Sequence, residues 1–174
     1  MKKEKGMSFD LGFWHEDQPI TAEQALQVYV QLCESNDTAV KPHPNIALFL
    51  QEISQHYPPI SDSPVEKLEE CPWSVLWDTT PGSVIFCMTW PAGRKLASLF
   101  IQMAHKYDLV CCNPQHNEVY LPPFLLDQVR ARQEKHPTAR ETAPSKPIEV
   151  WPSWEEVEAA RERKRKASPE GTGE

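Results

Sequence analysis

The stretch MSFDLGFWH, residues Met7 to His15, carries the pattern from which the fold is predicted. Phe9, Leu11 and Phe13 occupy alternate positions, separated by an aspartate and a glycine. Alternation with a period of two is typical of a β-strand, because successive side chains leave opposite faces of a sheet. We therefore predict that the folded part of the chain opens with a strand.

Helical and strand patterns follow this strand along the chain. Thr21 and Gln24 stand three residues apart, as in a capping box, at the start of an amphipathic helix. Pro44 and Pro91 stand where the first turn of a helix tolerates proline. The predicted elements are helices within 20–34, 43–57 and 91–108, two strands around the turn Asp78–Gly82, and a hairpin around residues 114–117.

The resulting order, β-α-α-β-β-α-β-β, predicts a single α+β domain with helices packed on one face of a mostly antiparallel sheet. Residues 7–123 form this domain in our interpretation, and residues 1–6 form a short basic extension ahead of it. Residues 124–174 are rich in proline and charge, and we expect them to be partly helical or disordered. Two helical patterns in this extension, 124–136 and 153–166, have no broad apolar face.

The charge is unevenly distributed along the chain. Residues 7–121 contain five Lys and Arg against fourteen Asp and Glu, a formal charge of −9, whereas residues 122–174 are balanced and residues 1–6 carry +2. Affinity for nucleic acids comes largely from basic side chains that neutralise phosphates. The acidic domain therefore disfavours a nucleic-acid partner.

Cysteine usage and hydropathy bear on the location of the protein. The five cysteines are an odd number with no secretory pattern ahead of them, so we expect reduced thiols and a cytoplasmic protein. No apolar run approaches the roughly 18 residues that a membrane span requires. We therefore predict no membrane association.

The sequence CCNPQH, residues 111–116, is compatible with a metal site, a Cys-His catalytic pair or a hairpin. Cys111 and Cys112 are neighbours on a predicted strand, so their side chains should point to opposite faces of the sheet, with one thiol protected and the other accessible. Structural zinc sites use spaced cysteine pairs, which this chain lacks. We favour the hairpin, with His116 in its turn, and predict no metal or cofactor.

His15, Glu16 and Asp17 offer an acid-base group, but no partner for it is evident in the sequence. The chain also lacks the glycine-rich phosphate loops and the nucleophile motifs of common enzyme families. A polar connection between strand and helix is the favoured interpretation, and no catalytic residue is predicted. A hydrolase that uses His15 or Cys112 remains an alternative.

The clearest candidate for a functional surface combines tryptophan with acidic side chains. Trp14 and three further tryptophans fall at predicted strand ends, and residues 60–72 are interpreted as an exposed acidic loop. Amphipathic aromatic side chains favour interfaces, and carboxylates attract a basic partner. The predicted partner-binding residues are Asp62, Glu66, Glu69, Glu70, Trp73, Trp77, Asp78 and Trp90.

The basic run RERKRK, residues 161–166, admits two interpretations. It is compatible with nucleic-acid binding or a localisation signal. It also follows Glu155, Glu156 and Glu158 at spacings that allow ion pairs within a helix. We favour the second interpretation, a solvated and internally paired segment.

Three stretches resemble a group of small bacterial proteins: MSFDLGFWHEDQPITAEQALQVYVQLCE, CPWSVLWDTTPGSVIFCMTW and KYDLVCCNPQHNEVYLP. In that group a FDLxxW strand opens the chain and a YxLVxxxPQxxxVYxP hairpin closes it. The resemblance covers residues 7–123, while the Cys111–Cys112 pair and the charged extension depart from the pattern. It carries over no active-site residue.

The resemblance implies an immunity protein of a polymorphic or contact-dependent toxin system. Such a protein binds and neutralises a cognate toxin domain, and a basic nuclease would attract an acidic partner. A non-catalytic protein-binding adaptor is the second interpretation. The sequence makes no prediction of the oligomeric state.

Overall fold

A computed structural model describes residues 8–135, without the side chains at positions 65, 67 and 68. The predicted order of strands and helices is confirmed through the second hairpin, and a fourth helix follows it. Three 3-10 helices, Asp37–Ala39, Ile60–Asp62 and Val65–Glu70, lie in the connections. The main elements are β1 Phe9–Trp14, α1 Ala22–Cys33, α2 Pro44–His56, β2 Asp78–Thr79, β3 Ser83–Met88, α3 Trp90–Lys106, β4 Val110–Asn113, β5 Glu118–Tyr120 and α4 Pro123–Lys135.

The five strands form one antiparallel sheet in the order β2-β3-β1-β4-β5. β1 lies at its centre. All six of its residues pair with β3, from Phe9 opposite Met88 to Trp14 opposite Ser83, and its last three residues also pair with β4. Residues 8–135 form a single small α+β domain, as predicted.

Helices cover both faces of the sheet, and the prediction that they pack on one face is wrong. Phe9, Leu11 and Phe13 point into a core that they share with α2 and α3, which we call the α2–α3 core. Trp14 points the other way, into a second core formed with α1 and α4, the α1–α4 core. Both faces of β1 are therefore buried, which the alternation of its apolar residues did not indicate.

Two glycines allow helices to approach β1 closely. A Cβ atom at Gly12 would lie 2.9 Å from Cδ2 of Tyr29, which packs over the strand from α1. A Cβ atom at Gly93 in α3 would lie 2.2 Å from Cγ of Phe9 on the opposite face. Neither helix could keep its present distance from the sheet if these positions carried larger side chains.

The packed region extends beyond the predicted boundary at residue 123. Leu125 in the first turn of α4 is fully buried, and Phe124, Leu126 and Val129 pack against the α1–α4 core. The short apolar stretch near the start of α4 is sufficient to pack this helix on the domain, because the sheet face that it covers is already lined by apolar residues. The predicted extensions at 1–6 and 136–174 lie outside the described residues.

We expect Leu125→Ala to lower the free energy of unfolding by about 2–5 kcal/mol, because it leaves a cavity under α4. Glu134→Ala, an exposed change on the same helix, should stay within about 0.5 kcal/mol of the parent protein. Urea unfolding followed by circular dichroism measures both. Equal effects of the two changes would show that α4 does not hold the α1–α4 core together.

Candidate functional site

The acidic segment predicted as a loop folds into two successive 3-10 helices, Ile60–Asp62 and Val65–Glu70. Asp62, Glu66, Glu69 and Glu70 are all exposed on them. The segment is closed by a hydrogen bond from Trp73 Nε1 to the Pro58 carbonyl, 2.9 Å long. The carboxylates are therefore presented to solvent by a short, tied-back piece of chain.

The next two residues predicted to bind a partner have structural roles. Trp73 is only 3% exposed, with its ring centroid 4.8 Å from that of Phe86 in the α2–α3 core. Trp77 is half-buried and packs edge to face on Trp73, with the ring centroids 5.2 Å apart. Trp73 is therefore a core residue in this structure, and its one polar atom is hydrogen-bonded inside the domain.

The predicted strand preceding β3 is interrupted by a large bulge. Trp73 pairs with Met88 in an isolated bridge, and Asp78 pairs with Ile85 in β2. Four residues, 74–77, thus stand opposite only two residues of β3. Extra residues on one strand bend it away from the ladder. The predicted long hairpin arm is consequently reduced to the two-residue strand β2.

The bulge exposes two apolar side chains that the sequence analysis did not select. Val75 is 52% exposed and Leu76 is 60% exposed at the edge of the sheet. The sequence pattern predicts a strand before the turn at Asp78, and in a strand one of two neighbouring side chains should face the core. Two neighbouring apolar residues directly before Trp77 do not fit the alternation of a strand with one buried face, and this departure indicates an irregular strand.

Trp90 lies beside the end of this segment. The amide of Thr89, its neighbour in the chain, donates a hydrogen bond of 2.9 Å to the Pro72 carbonyl. The indole of Trp90 packs edge to face on Phe9 and remains 38% exposed. We call the exposed acidic and apolar residues of segment 60–78, together with Trp90, the acidic edge: Asp62, Glu66, Glu69, Glu70, Val75, Leu76, Asp78 and Trp90.

Some carboxylates of the domain form ion pairs with lysine side chains. Lys106 Nζ lies 2.8 Å from Glu52 Oε2, and Lys41 Nζ lies 3.8 Å from Asp17 Oδ2. Among the side chains that the structure describes, no ion pair involves a carboxylate of the acidic edge. An exposed segment that carries both carboxylates and apolar side chains favours a partner that brings positive charge.

The thiol candidates are buried on both sides of the sheet. Cys111 lies in the α2–α3 core and Cys112 in the α1–α4 core, which confirms that their side chains point to opposite faces. The prediction that one of them is accessible is wrong, because helices cover both faces. Burial, followed by the charge of Cys33, raises the pKa of Cys112 to about 12. Such a thiol is protonated at neutral pH and is a poor nucleophile.

The turn after these cysteines is hydrogen-bonded to the backbone of β1. The Gln115 side chain accepts a hydrogen bond of 2.9 Å from the Asp10 amide and donates one of 2.7 Å to the Asp10 carbonyl. It thus continues the pairing of β1 where β4 has ended. His116 lies 3.1 Å, through Nδ1, from the side-chain nitrogen of Asn113 and contacts neither thiol in the interactions found among the described residues. The hairpin interpretation of CCNPQH is confirmed.

The acid-base candidates after β1 also make structural contacts. The indole of the buried Trp14 donates a 2.8 Å hydrogen bond to Glu16. Nδ1 of His15 lies 3.0 Å from the Asp108 carbonyl, and its Nε2 lies 3.4 Å from Asp17 Oδ1. Each polar group of this connection therefore has a partner inside the domain.

His43, which the sequence analysis did not select, stacks on His15 with the ring centroids 3.9 Å apart. Its Nδ1 accepts a hydrogen bond of 3.3 Å from the amide of Asn45 and so caps the N-terminus of α2. Burial, followed by the charge of His15, lowers the pKa of His43. A proton on Nδ1 would also remove the cap and place a positive charge at a helix N-terminus.

Within residues 8–135 there is no group of three or more His, Cys, Asp or Glu side chains that could hold a metal ion. No helix in that part of the chain is long and apolar enough to cross a membrane.

Comparison with protein-family models, curated proteins and solved structures finds no match for this chain.

A thiol-labelling series tests the burial of the two adjacent cysteines. Cys33 is exposed and should react first with a maleimide, the partly buried Cys71 and Cys87 should react more slowly, and Cys111 and Cys112 should react only on unfolding. Mass spectrometry of timed samples gives the order. Native labelling of Cys112 as fast as that of Cys33 would show that α1 and α4 leave their face of the sheet open.

The histidine stack predicts a loss of stability in mild acid. Because the folded-state pKa of His43 lies below its ordinary value of about 6.5, the unfolded chain binds the proton more readily. The stabilising contribution is therefore complete above about pH 6.5 and is lost as the pH falls from there through the folded-state pKa. Half-buried His105, whose pKa is lowered by burial of its ring, contributes to the loss of stability in the same pH range.

We expect His43→Asn, which keeps a capping side chain without a titrating group, to lose less stability between pH 7 and pH 5 than the parent protein does. Urea unfolding at several pH values measures the difference, and NMR titration of the His43 ring measures its pKa directly. A ring that titrates above 6.5 in the folded protein would contradict the assignment.

Proposed function

We propose that this protein is an immunity protein that binds a toxin domain through the acidic edge and neutralises it. The observation that carries the proposal is the pairing of two adjacent, more than half-exposed apolar side chains with carboxylates that lack ion-pair partners among the described side chains. The resemblance of residues 7–123 to immunity proteins supports the same function.

The side chains of the acidic edge suit two separable tasks. Glu66, Glu69 and Glu70 are exposed on a tied-back turn, so their long-range field would steer a basic partner and accelerate association. Val75 and Leu76 offer the apolar surface that is buried on contact and slows dissociation. Trp73 and Trp77, which flank this pair in the chain, are held in the domain by their packing on Phe86.

The class of partner follows from the sign of the charge. A nuclease domain binds phosphates through Lys and Arg, so its active site is positively charged and complementary to the acidic edge. A protein that covers such a site would exclude its substrate. A basic nuclease is therefore the toxin class that we propose.

A protein-binding adaptor would use the same surface with a different partner, so the surface alone does not separate the two functions. Co-expression with a toxin encoded beside this protein distinguishes an immunity protein from an adaptor. Protection of the producing cells, with a complex on size-exclusion chromatography, is the expected result. Unchanged toxicity and no complex would remove the immunity function and leave the adaptor.

The double change Val75→Asp and Leu76→Asp should weaken binding of the toxin roughly 10-fold to 100-fold, mainly through faster dissociation. Val30 and Leu48, which are 46% and 48% exposed on α1 and α2, provide a matched control. The double change Val30→Asp and Leu48→Asp should leave the affinity within about twofold of the parent value. Surface plasmon resonance measures both, and equal losses would place the interface elsewhere.

Neutralising the charges tests the steering role separately. Glu66→Gln, Glu69→Gln and Glu70→Gln together should slow association and reduce its dependence on salt, with little change in dissociation. An unchanged association rate at low salt would show that these carboxylates do not face the partner.

A further inference from the structure

We propose that residues 151–166 bind intramolecularly to the acidic edge of the same chain. This segment lies outside the described residues, and its sequence is WPSWEEVEAARERKRK. The proposal concerns an intrachain contact, so it holds whether or not the protein neutralises a toxin.

Charge complementarity carries the first step. Residues 161–166 contain five basic side chains and one acidic side chain. Residues 62–78 contain five acidic residues and one lysine, and the structure exposes all five carboxylates. The basic run is the densest positive segment of the chain, and the carboxylates of the acidic edge form no ion pair with any side chain that the structure describes. Opposite charge of this density attracts over about a Debye length, roughly 10 Å at 0.1 M salt.

Apolar complementarity carries the second step. Val75 and Leu76 are exposed on the bulge, at the point where β2 leaves the β3 edge open. Trp151 and Trp154 stand ten and seven residues before the basic run. The indole rings of Trp151 and Trp154 would cover Val75 and Leu76 and remove their apolar surface from water. This burial would add to the attraction between opposite charges.

The length of the connecting chain permits the contact. Lys135 is the last described residue, and fifteen residues separate it from Trp151. An extended chain of that length reaches about 50 Å. A domain of the described size has a radius of gyration of about 14 Å. The segment can therefore reach any edge of the sheet from the end of α4.

Attachment to the domain makes a weak contact effective. A tethered segment acts at an effective concentration on the order of millimolar, so it needs only a modest affinity to occupy the site. An external basic protein would have to displace it. The arrangement would make the acidic edge selective for partners that bind it tightly.

Carbodiimide coupling of the full-length protein tests the proposal, because it joins a lysine amine directly to a carboxylate. We expect Lys164 or Lys166 to be linked to Glu66, Glu69, Glu70 or Asp78. The yield should fall at least about fivefold between 0.1 M and 1 M salt, as the screening length drops to about 3 Å. Mass spectrometry of the digested protein identifies the linked residues.

The variant E66Q/E69Q/E70Q should lose every link except one to Asp78, and the yield of that link should fall because the negative charge of the acidic edge is reduced. The matched variant E23Q/E34Q/D37N, which neutralises three exposed carboxylates on and after α1, should keep them. Links from Lys164 and Lys166 only to Glu155, Glu156 or Glu158 would overturn the proposal in favour of internal pairing. Equal links to the α1 carboxylates would overturn it as well.

A mixture of isotope-labelled and unlabelled protein separates contacts within one chain from contacts between copies. Links confined to one isotope are expected, and mixed-isotope links in proportion to the mixture would overturn the intrachain contact. These outcomes are independent of the toxin experiment, because the cross-links form in the protein alone. A protein that shows them but protects no cell would lack the proposed function and keep this contact.

Discussion

Burial of both faces of β1 is the constraint on which the remaining packing depends. Phe9, Leu11 and Phe13 anchor α2 and α3 on one side, while Gly12 and Trp14 receive α1 and α4 on the other. Since β1 also pairs with β3 and β4, no side of it faces water over its last three residues. A central strand in this position joins two cores, so a change on either face should affect both layers of helices.

The acidic edge arises where this arrangement ends. β3 is covered on both faces, but its outer neighbour pairs regularly only at Asp78 and Thr79. The bulge before them interrupts the ladder and so hinders another strand from adding to β3. The same bulge turns Val75 and Leu76 outward and holds Trp77 inward on Phe86. One irregularity thus protects the sheet and exposes an apolar pair in a segment that also carries exposed carboxylates, which suits recognition through side chains.

Polar residues that resemble catalytic groups in the sequence instead connect the elements of the fold. Glu16 accepts a hydrogen bond from the buried indole of Trp14, and Gln115 continues the pairing of β1 through its amide. His15 bridges the end of β1 to the carbonyl of Asp108. Buried polar groups require partners, and the side chains nearest in the fold supply them. The proposed function accordingly relies on a surface and assigns no reacting group.

The sequence by itself determined the local elements and their order. The alternation in β1, the capping box at Thr21 and the prolines at 44 and 91 are local signals, and the four elements that they predict appear close to where they were expected. The acidic turns were also recognisable as an exposed segment. Only the tertiary structure decided that helices cover both faces, that Cys112 and Trp73 are buried, and that Val75 and Leu76 are not. These outcomes depend on which elements become neighbours, because the burial of a side chain is set by contacts between residues far apart in the chain.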